Sequence, residues 1–427
     1  MHRFALYTIT GLSSLVVLYP GPVEGEFQTP HPAAPVYEFQ NGRWFDGTRF
    51  TEVTFYVEYG TLVTHRPAQV DSVVDLAGGW VVPPYGEAHN HNVEDGPALP
   101  DLIHRYLEGG VFYVKNPNVL PRAVHALRGR VNLPESIDVS FAFGGFTGPG
   151  GHPISVVQRN VERGTWSDAD GEGAFYYELA DEGDLDRKWA GFVANRPDFV
   201  KAYLLYSEEL EARAQNDAFV GWRGLDPNLL RELTRRAHAV GLPVSVHVET
   251  AHDFRTALEA GVDEINHLPG FRGNEENRFP DIEIFHLEER DAVRAAEQGV
   301  VVVTTLGDFH LLGDEATAKR ARGVFRHNLS LLRDHGVILA IGSDGYGSVG
   351  VDEAFQLLDL DVFSNLELLR AWAEDTPRAI FPFRRIGHLA PGYEASFLVL
   401  DRNPLDDFRA TQEIRLRVKQ GVILDGW

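Results

Sequence analysis

Residues 241–247 read GLPVSVH, and residues 261–267 read GVDEINH. Each segment begins at a glycine that can end a helix with left-handed backbone, continues through a strand, and reaches a histidine six residues later. The same unit of glycine, strand and terminal polar residue occurs five times, starting at Gly110, Gly241, Gly261, Gly299 and Gly336. Helices that alternate with such apolar strands indicate a parallel sheet covered by helices.

Residues 226–241 carry all the signals of one of these helices. Asp226 can cap the first turn, Pro227 suits the next position, and Gly241 ends the helix. Its apolar face is predicted to consist of Leu229, Leu230, Leu233 and Ala237.

Two α/β architectures are compatible with this repeat, a closed (β/α)8 TIM barrel and an open doubly wound sheet. No glycine-rich phosphate-binding fingerprint follows any predicted strand, and polar residues end many strands instead of clustering at one switch point. We therefore predict a TIM barrel over residues 83–384, with the polar strand ends at one rim.

Short β-rich pieces with turn signals flank this region on both sides. Residues 36–82 contain the turns at Asn41-Gly42 and Asp46-Gly47, and residues 385–427 contain apolar runs at 396–400 and 414–418. The two flanks could be separate modules or one sheet built from both ends of the chain. We expect the second arrangement, a composite β-sandwich domain.

The composition limits the classes of function. The 427 residues include 39 Lys plus Arg against 62 Asp plus Glu, and the formal net charge of −23 opposes non-specific binding to nucleic acid or an anionic membrane. There is no cysteine, which excludes disulfides, thiolate metal sites and cysteine nucleophiles. Any metal must therefore be held by imidazole and oxygen ligands.

Residues 1–25 resemble a secretory signal peptide. The stretch from Ala5 to Val23 has no charged side chain and is short for a membrane span. An uncleaved membrane anchor and a disordered arm are the alternatives. The pattern predicts a periplasmic or secreted protein; without export the chain would be cytoplasmic.

Several candidate metal ligands follow predicted strands. His89 and His91 come after the strand at 80–82, and residues two apart in an extended chain point the same way. His247 and His267 end successive strands, which should place them side by side at one depth. Two buried imidazoles beside a third strand ending in Asp344 need something to bind them.

In these motifs the chain resembles the amidohydrolase superfamily, and it is most similar to the imidazolonepropionase-like and prolidase-like groups. The resemblance extends from about Val36 to the C-terminus. It implies six metal ligands, which are His89, His91, Lys201, His247, His267 and Asp344. Two positions depart from the family pattern: Glu87 stands where an Asp is usual, and Ala395-Ser396 replaces a common Ala-Asp.

The resemblance also implies a mechanism. Lys201 would react with carbon dioxide to give a carbamate that bridges two divalent ions, most simply zinc. Asp344 would act as both ligand and general base. If Lys201 is instead an unmodified lysine in an ion pair, a mononuclear site remains.

We therefore expect a hydrolase that uses a metal-bound hydroxide to cleave an amide bond in a small molecule such as a dipeptide or an N-acyl amino acid. A mononuclear cyclic-amide hydrolase or deaminase is the first alternative, and a non-catalytic scaffold the second. His152, Tyr203 and Tyr206 are candidates for substrate binding, although loop structure or packing would also explain them. A homo-oligomer is compatible with the sequence.

Overall fold

The computed structural model describes residues 35–94, 96–271, 282–306 and 315–424. The predicted signal peptide at 1–25 lies outside these ranges. The described helices include none with both the length and the apolar character that crossing a membrane requires.

Within the described residues the strands form three sheets. The strands are β1 (Tyr37–Phe45), β2 (Phe50–Glu58), β3 (Thr61–Val63), β4 (Ser72–Asp75), β5 (Trp80–Val82), β6 (Tyr85–Glu87), β7 (Val111–Asn116), β8 (Asp138–Phe141), β9 (Gly145–Thr147), β10 (Tyr176–Glu178), β11 (Val200–Tyr203), β12 (Val244–His247), β13 (Glu264–Asn266), β14 (Val301–Val303), β15 (Ile338–Ala340), β16 (Phe397–Leu400), β17 (Ile414–Lys419) and β18 (Val422–Ile423).

The α-helices lie mostly between strands of the parallel sheets. They are α1 (Leu99–Glu108), α2 (Pro121–Leu127), α3 (Ile154–Glu162), α4 (Glu182–Ala194), α5 (Leu210–Ala214), α6 (Pro227–Ala239), α7 (Ala251–Ala260), α8 (Glu289–Gln298), α9 (Glu315–Asp334), α10 (Val351–Asp359), α11 (Asn365–Arg370) and α12 (Thr376–Ile380). Short 3-10 helices occur at Asp168–Asp170, Ser207–Glu209, Asp217–Phe219, Ile282–Phe285 and Phe408–Gln412, and one π-helical turn at Ala371–Asp375.

The helix signals in the sequence are confirmed. The Asp226 side chain accepts a hydrogen bond from the backbone N–H of Asn228 at 2.7 Å, and the predicted apolar face of α6 is buried. The glycines at the start of the five repeat units all have positive φ, at 77°, 76°, 74°, 67° and 73° in chain order. These are left-handed conformations that glycine adopts without steric cost.

Strands from both ends of the chain share one sheet, in the order β18-β17-β16-β5-β1-β2-β3, with β4 paired to β1. Strand β5 is parallel to β1 and antiparallel to β16, so that Val81 pairs with Val399. Phe397 packs against Phe39 and Trp44, with ring centroids 4.9 and 5.0 Å apart. Both flanks therefore contribute strands to one sheet.

The middle of the chain forms two parallel sheets, β6-β7-β8 and β10-β9-β11-β12-β13-β14-β15. Backbone hydrogen bonds join both sides of the three-stranded sheet to strands of the seven-stranded sheet. Ala88 N donates to Ile341 O at 2.8 Å, which links the ends of β6 and β15. Asp198 N donates to Phe141 O at 2.9 Å, which links the end of β8 to the entry of β11.

A buried charge cluster ties the C-terminal strands to the parallel sheet. Asp138 on β8 and Lys419 on β17 are 1% and 0% exposed, and Lys419 Nζ lies 2.7 Å from Asp138 Oδ1. Arg384 Nη1 lies 2.8 Å from Asp138 Oδ2. Burial alone would raise the pKa of Asp138, but the two cations hold it below its ordinary value.

We expect Asp138→Asn to lower the free energy of unfolding by about 3–5 kcal/mol, because it leaves the fully buried Lys419 without its counter-charge, while Arg384 keeps Glu394. Urea denaturation followed by fluorescence would measure the loss. Glu413→Gln is the matched control, since it breaks a surface ion pair with Arg402 and should change stability little. Equal losses in both variants would contradict the prediction.

Candidate metal centre

Five of the six predicted ligands lie at the carboxyl ends of the parallel strands, and Lys201 lies deeper, within a strand. His89 and His91 follow β6, Lys201 lies on β11, His247 ends β12, His267 follows β13, and Asp344 follows β15. Their burial is nearly complete for His89, Lys201, His247 and His267, which are 1–2% exposed. Parallel strands carry these side chains to one edge of the sheets.

Asp344 faces the first pair of histidines. Its Oδ1 lies 3.6 Å from His89 Nε2 and 3.4 Å from His91 Nε2. Two ligands of one tetrahedral zinc ion are about 3.4 Å apart, given metal–ligand distances of about 2.0–2.1 Å. One ligand atom each from His89, His267 and Asp344 also lies within 4.8 Å of the others.

The chemistry of His89 suits a cation. Burial, together with the nearby charge of Lys201, lowers the pKa of His89 well below its ordinary value and favours the neutral imidazole that binds metal. Its Nδ1 is buried without a hydrogen-bond partner among the described residues. The other ring nitrogen, Nε2, faces Asp344 and is the one positioned to bind a divalent ion together with that carboxylate.

The second pair of histidines is held by neighbouring side chains. The rings of His247 and His267 lie 4.5 Å apart, and His267 lies 4.7 Å from His89. His247 Nε2 is 2.9 Å from Glu249 Oε1, and His267 Nδ1 is 2.6 Å from Thr305 Oγ1. Such contacts fix the orientation of an imidazole and decide which nitrogen faces a metal.

The predicted register of this second pair is wrong. His247 pairs with Asn266 across β12 and β13, so His267 is one residue beyond the expected position and alternation would turn its side chain away. His267 instead has a left-handed backbone, with φ at 77°. Thr305 and Asp344 share this feature, with φ at 34° and 50°. Each such residue costs about 1–3 kcal/mol, and non-glycine residues of this kind concentrate at functional sites.

Lys201 belongs to a row of buried polar side chains below the histidines. It pairs with Ser245 across β11 and β12, and Ser245 pairs with Glu264 across β12 and β13. Lys201 Nζ donates a hydrogen bond to Asn266 Oδ1. Glu264 Oε2 lies 2.7 Å from Nζ of Lys115, so this lysine is ion-paired inside the protein.

The candidates for substrate binding occupy different surroundings. The His152 ring lies 5.5 Å from that of His247 and 5.0 Å from that of Tyr203, so these two candidates adjoin the histidines. Tyr206 packs against the guanidinium of Arg213, 3.8 Å from the ring centroid. Burial raises the pKa of Tyr206 above its ordinary value.

Glu87 explains one departure from the family pattern. Its carboxyl group accepts hydrogen bonds from the Ser343 backbone N–H at 2.7 Å and the Ser343 hydroxyl at 3.1 Å. The longer side chain thus reaches β15's outgoing loop directly beside Asp344. A Cβ at Gly350 would lie 2.8 Å from Glu87 Oε2, so glycine there makes room for it.

Sequence reasoning did not identify several supporting residues. Thr305 lies at the end of a predicted strand, and this position is the sequence feature that could have identified it. Phe271 stacks on His267 with ring centroids 3.7 Å apart and planes at 4°. Asn118 contacts both His91 and Tyr203, yet its local sequence is that of an ordinary loop.

Comparisons with known proteins agree with this geometry. The model of a family described as the amidohydrolase family matches residues 196–426. Ochratoxinase of Aspergillus niger is 25% identical over 195 residues, which make up 44% of this chain and 38% of that protein. The match therefore spans well under half of this curated relative.

Solved structures share the fold over most of both chains. The crystal structure of A. niger ochratoxinase has a TM-score of 0.70 at 16% identity and covers 92% of this chain and 96% of that chain. A prolidase complexed with N-methylphosphonate-L-proline has a TM-score of 0.68 at 18% identity and covers 92% and 100%. At such identities the likeness concerns the fold.

We expect Thr305→Val to weaken metal binding by about 10- to 100-fold, because it keeps the branched shape but removes the hydroxyl that contacts His267. Competition with a chromophoric chelator would measure the affinity. Thr305→Ser, which keeps the hydroxyl, is the control and should stay close to wild type. Unchanged affinity in Thr305→Val would show that this contact does not hold the ligand.

Proposed function

The chain belongs to the amidohydrolase family, and from this premise we propose that it is a metal-dependent hydrolase that cleaves an amide C–N bond in a small molecule, such as a dipeptide or an N-acyl amino acid. The observation that carries the proposal is the convergence of His89, His267 and Asp344, whose ligand atoms lie within 4.8 Å of one another. Family membership supports amide hydrolysis in general.

We propose that the two parallel sheets form one closed (β/α)8 barrel and that the sheet from both chain ends belongs to a β-sandwich domain. The backbone hydrogen bonds that join both sides of the three-stranded sheet to the seven-stranded sheet support the first part. The shared fold of the solved amidohydrolases supports it as well.

We also propose that the protein is exported. The uncharged stretch within residues 1–25 supports this proposal.

The residues present could hold two divalent ions, zinc being the simplest choice for imidazole and carboxylate ligands. His89, His91 and Asp344 would hold one ion, and His247 and His267 the other. A carbamate on Lys201 would bridge them. When bound, such ions lower the pKa of water and polarise the carbonyl under attack.

The protein's own groups would position the substrate and move protons. Asp344 Oδ1 faces the first histidine pair, where it can accept a proton and deliver it to the leaving nitrogen. Tyr203 and His152 adjoin His247 on the other side of the centre. We propose that they orient the substrate.

Formation of the carbamate requires a neutral amine at Lys201. The Nζ lone pair would attack carbon dioxide, a new N–C bond would form, and one proton would leave to the surroundings. Lys201 is almost completely buried, so this reaction would take place inside the protein and not at its surface. The product replaces a cation with an anion that can bind metal.

A mononuclear cyclic-amide hydrolase or deaminase is the second candidate. It is favoured by one contact, the hydrogen bond from Lys201 Nζ to Asn266 Oδ1, which uses the lysine as an unmodified donor.

We expect purified protein to contain up to two divalent ions per chain. We also expect the Asp344→Asn variant to hydrolyse its substrate on the order of 10²- to 10⁴-fold more slowly, with its fold intact. The amide can still offer an oxygen to a metal but cannot take up a proton. Elemental analysis and steady-state kinetics on small amides would measure the two effects. Near-normal turnover in this variant would assign the base to another group.

We expect Lys201→Ala to lose most activity and much of the second metal, and short carboxylic acids to restore part of both by occupying the vacated bridge. Lys201→Arg is the matched control, since a guanidinium stays charged and fills the space. Metal content and turnover would be measured with and without added acetate. A free amine at position 201 in fully active enzyme, seen by mass spectrometry, would favour the mononuclear candidate.

A further inference from the structure

Asn266 is a buried carboxamide in direct contact with Lys201. It is the last residue of β13 and is 0% exposed. Lys201 Nζ, the atom that would react with carbon dioxide, donates a hydrogen bond to Asn266 Oδ1. At the other end of the amide, Asn266 Nδ2 donates to Glu264 Oε1 at 2.9 Å. The carboxamide therefore lies between the reactive nitrogen and a buried carboxylate.

The two neighbours determine which end of this amide faces Lys201. Glu264 Oε2 lies 2.7 Å from Lys115 Nζ, so Glu264 is an ion-paired carboxylate that can only accept hydrogen bonds. Turning the amide over would bring the Asn266 oxygen against that carboxylate and its NH2 group against the lysine nitrogen. Even opposite a neutral amine, the first of these mismatches would remain. The oxygen of Asn266 is thus held toward Lys201 by a chain of contacts that begins at Lys115.

The acceptor that this chain presents to Lys201 carries no charge. The carboxylate of Glu264 is matched by Lys115, and that pair is neutral as a whole. An aspartate at position 266 would suit a lysine that stays an ammonium ion, because charge-assisted hydrogen bonds are roughly twice as strong as neutral ones. The same aspartate would repel a carbamate. An amide oxygen can accept from the lysine nitrogen in either state.

A carbamate on Lys201 would keep one hydrogen on its nitrogen. The neutral amine R–NH2 and carbon dioxide give R–NH–COO⁻ and one proton, so a single N–H bond remains. Resonance between the nitrogen and the carboxyl carbon makes this group planar, as it does in a peptide bond. A hydrogen bond from the remaining N–H to Asn266 Oδ1 would therefore fix the plane that contains both carbamate oxygens.

We propose that Asn266 positions the carbamate of Lys201, with Oδ1 accepting its one remaining N–H and with Glu264 and Lys115 holding the amide in that orientation. The inference rests on the binuclear form of the proposed function, and it specifies which residue stabilises the bridging group. Asn266 is a positioning residue, because it acts through Lys201 and not on the substrate. Loss of the contact should favour return of the carbamate to amine and carbon dioxide.

The test measures carbamate formation directly. Metal-free full-length protein is reconstituted with zinc over a series of 13C-bicarbonate concentrations, the carbamate is followed by 13C NMR, and bound zinc is counted by elemental analysis. Asn266→Leu removes the acceptor at similar volume and should raise the half-saturating bicarbonate concentration by about 3- to 10-fold. Asn266→Asp should raise it further, because it places an anion beside the carbamate.

Ser245→Ala is the matched control. The Ser245 hydroxyl is buried in the same region and lies 2.8 Å from both Asn266 Oδ1 and Glu264 Oε1. Its removal leaves each of these oxygens with another donor, which is Lys201 Nζ for the first and Asn266 Nδ2 for the second. The half-saturating bicarbonate concentration of this variant should stay close to that of wild type.

Recovery at high bicarbonate separates positioning from damage to the site. Asn266 precedes His267, so a substitution there could displace that ligand directly. Such damage would remove zinc at every bicarbonate concentration. If Asn266 acts through the carbamate, Asn266→Leu should regain both the carbamate signal and the second zinc ion at saturating bicarbonate.

The results that would overturn the inference differ from one another. If wild type forms the carbamate but Asn266→Leu keeps the wild-type half-saturation, or fails to recover at saturating bicarbonate, the contact does not position the carbamate. If wild type shows no carbamate and binds one zinc ion, the binuclear centre fails and this inference fails with it. Turnover on small amides is measured on the same samples, so failure of the proposed hydrolysis is seen separately.

Discussion

The interior of the parallel sheets holds charges that have no access to water, and each must be matched by a neighbour. Lys115 and Glu264 pair at 2.7 Å, and Lys201 lies in the same register row, separated from Glu264 by Ser245. Removing one member of such a set leaves an uncompensated buried charge, which is far more damaging than losing a surface pair. The need to pair these buried charges restricts the side chains below the histidines to one arrangement, and this arrangement supports the histidines above them.

The residues at the strand ends of the site are positioned in a different way, by locally strained backbone. Strands alone would send His267 away from His247, since its neighbour Asn266 already occupies the inward position. Left-handed backbone at His267, Thr305 and Asp344 redirects the chain where three successive strands end. The Thr305 hydroxyl then holds the His267 ring at 2.6 Å. The backbone N–H groups of the three residues donate hydrogen bonds to neighbouring carbonyl oxygens, which helps to hold the strained conformations.

The sequence predicted what depends on periodicity and turn chemistry. The helix-ending glycines and the capped α6 follow local rules, and the structure has them. The four histidines and Asp344, predicted as metal ligands, lie at or just after the ends of parallel strands. The direction of His267 could not be predicted, because it depends on one backbone angle set by tertiary contacts. The contacts of Asn118 could not be predicted either. Its partners Tyr203 and His91 lie at distant positions in the sequence and contact it only in the folded protein.

The sheet shared by both chain ends sets a condition on biosynthesis. Val81 in β5 pairs with Val399 in β16, so almost the whole polypeptide must be synthesised before this pairing can form. At ribosomal speeds of about 5–20 residues per second, the delay is on the order of tens of seconds. During that time the backbone N–H and C=O groups along one edge of β5 are unpaired and can bind strands of other nascent chains. Slow translation or crowded polysomes should therefore favour misassembly of this protein at that edge, and a chaperone that covers it would raise the yield.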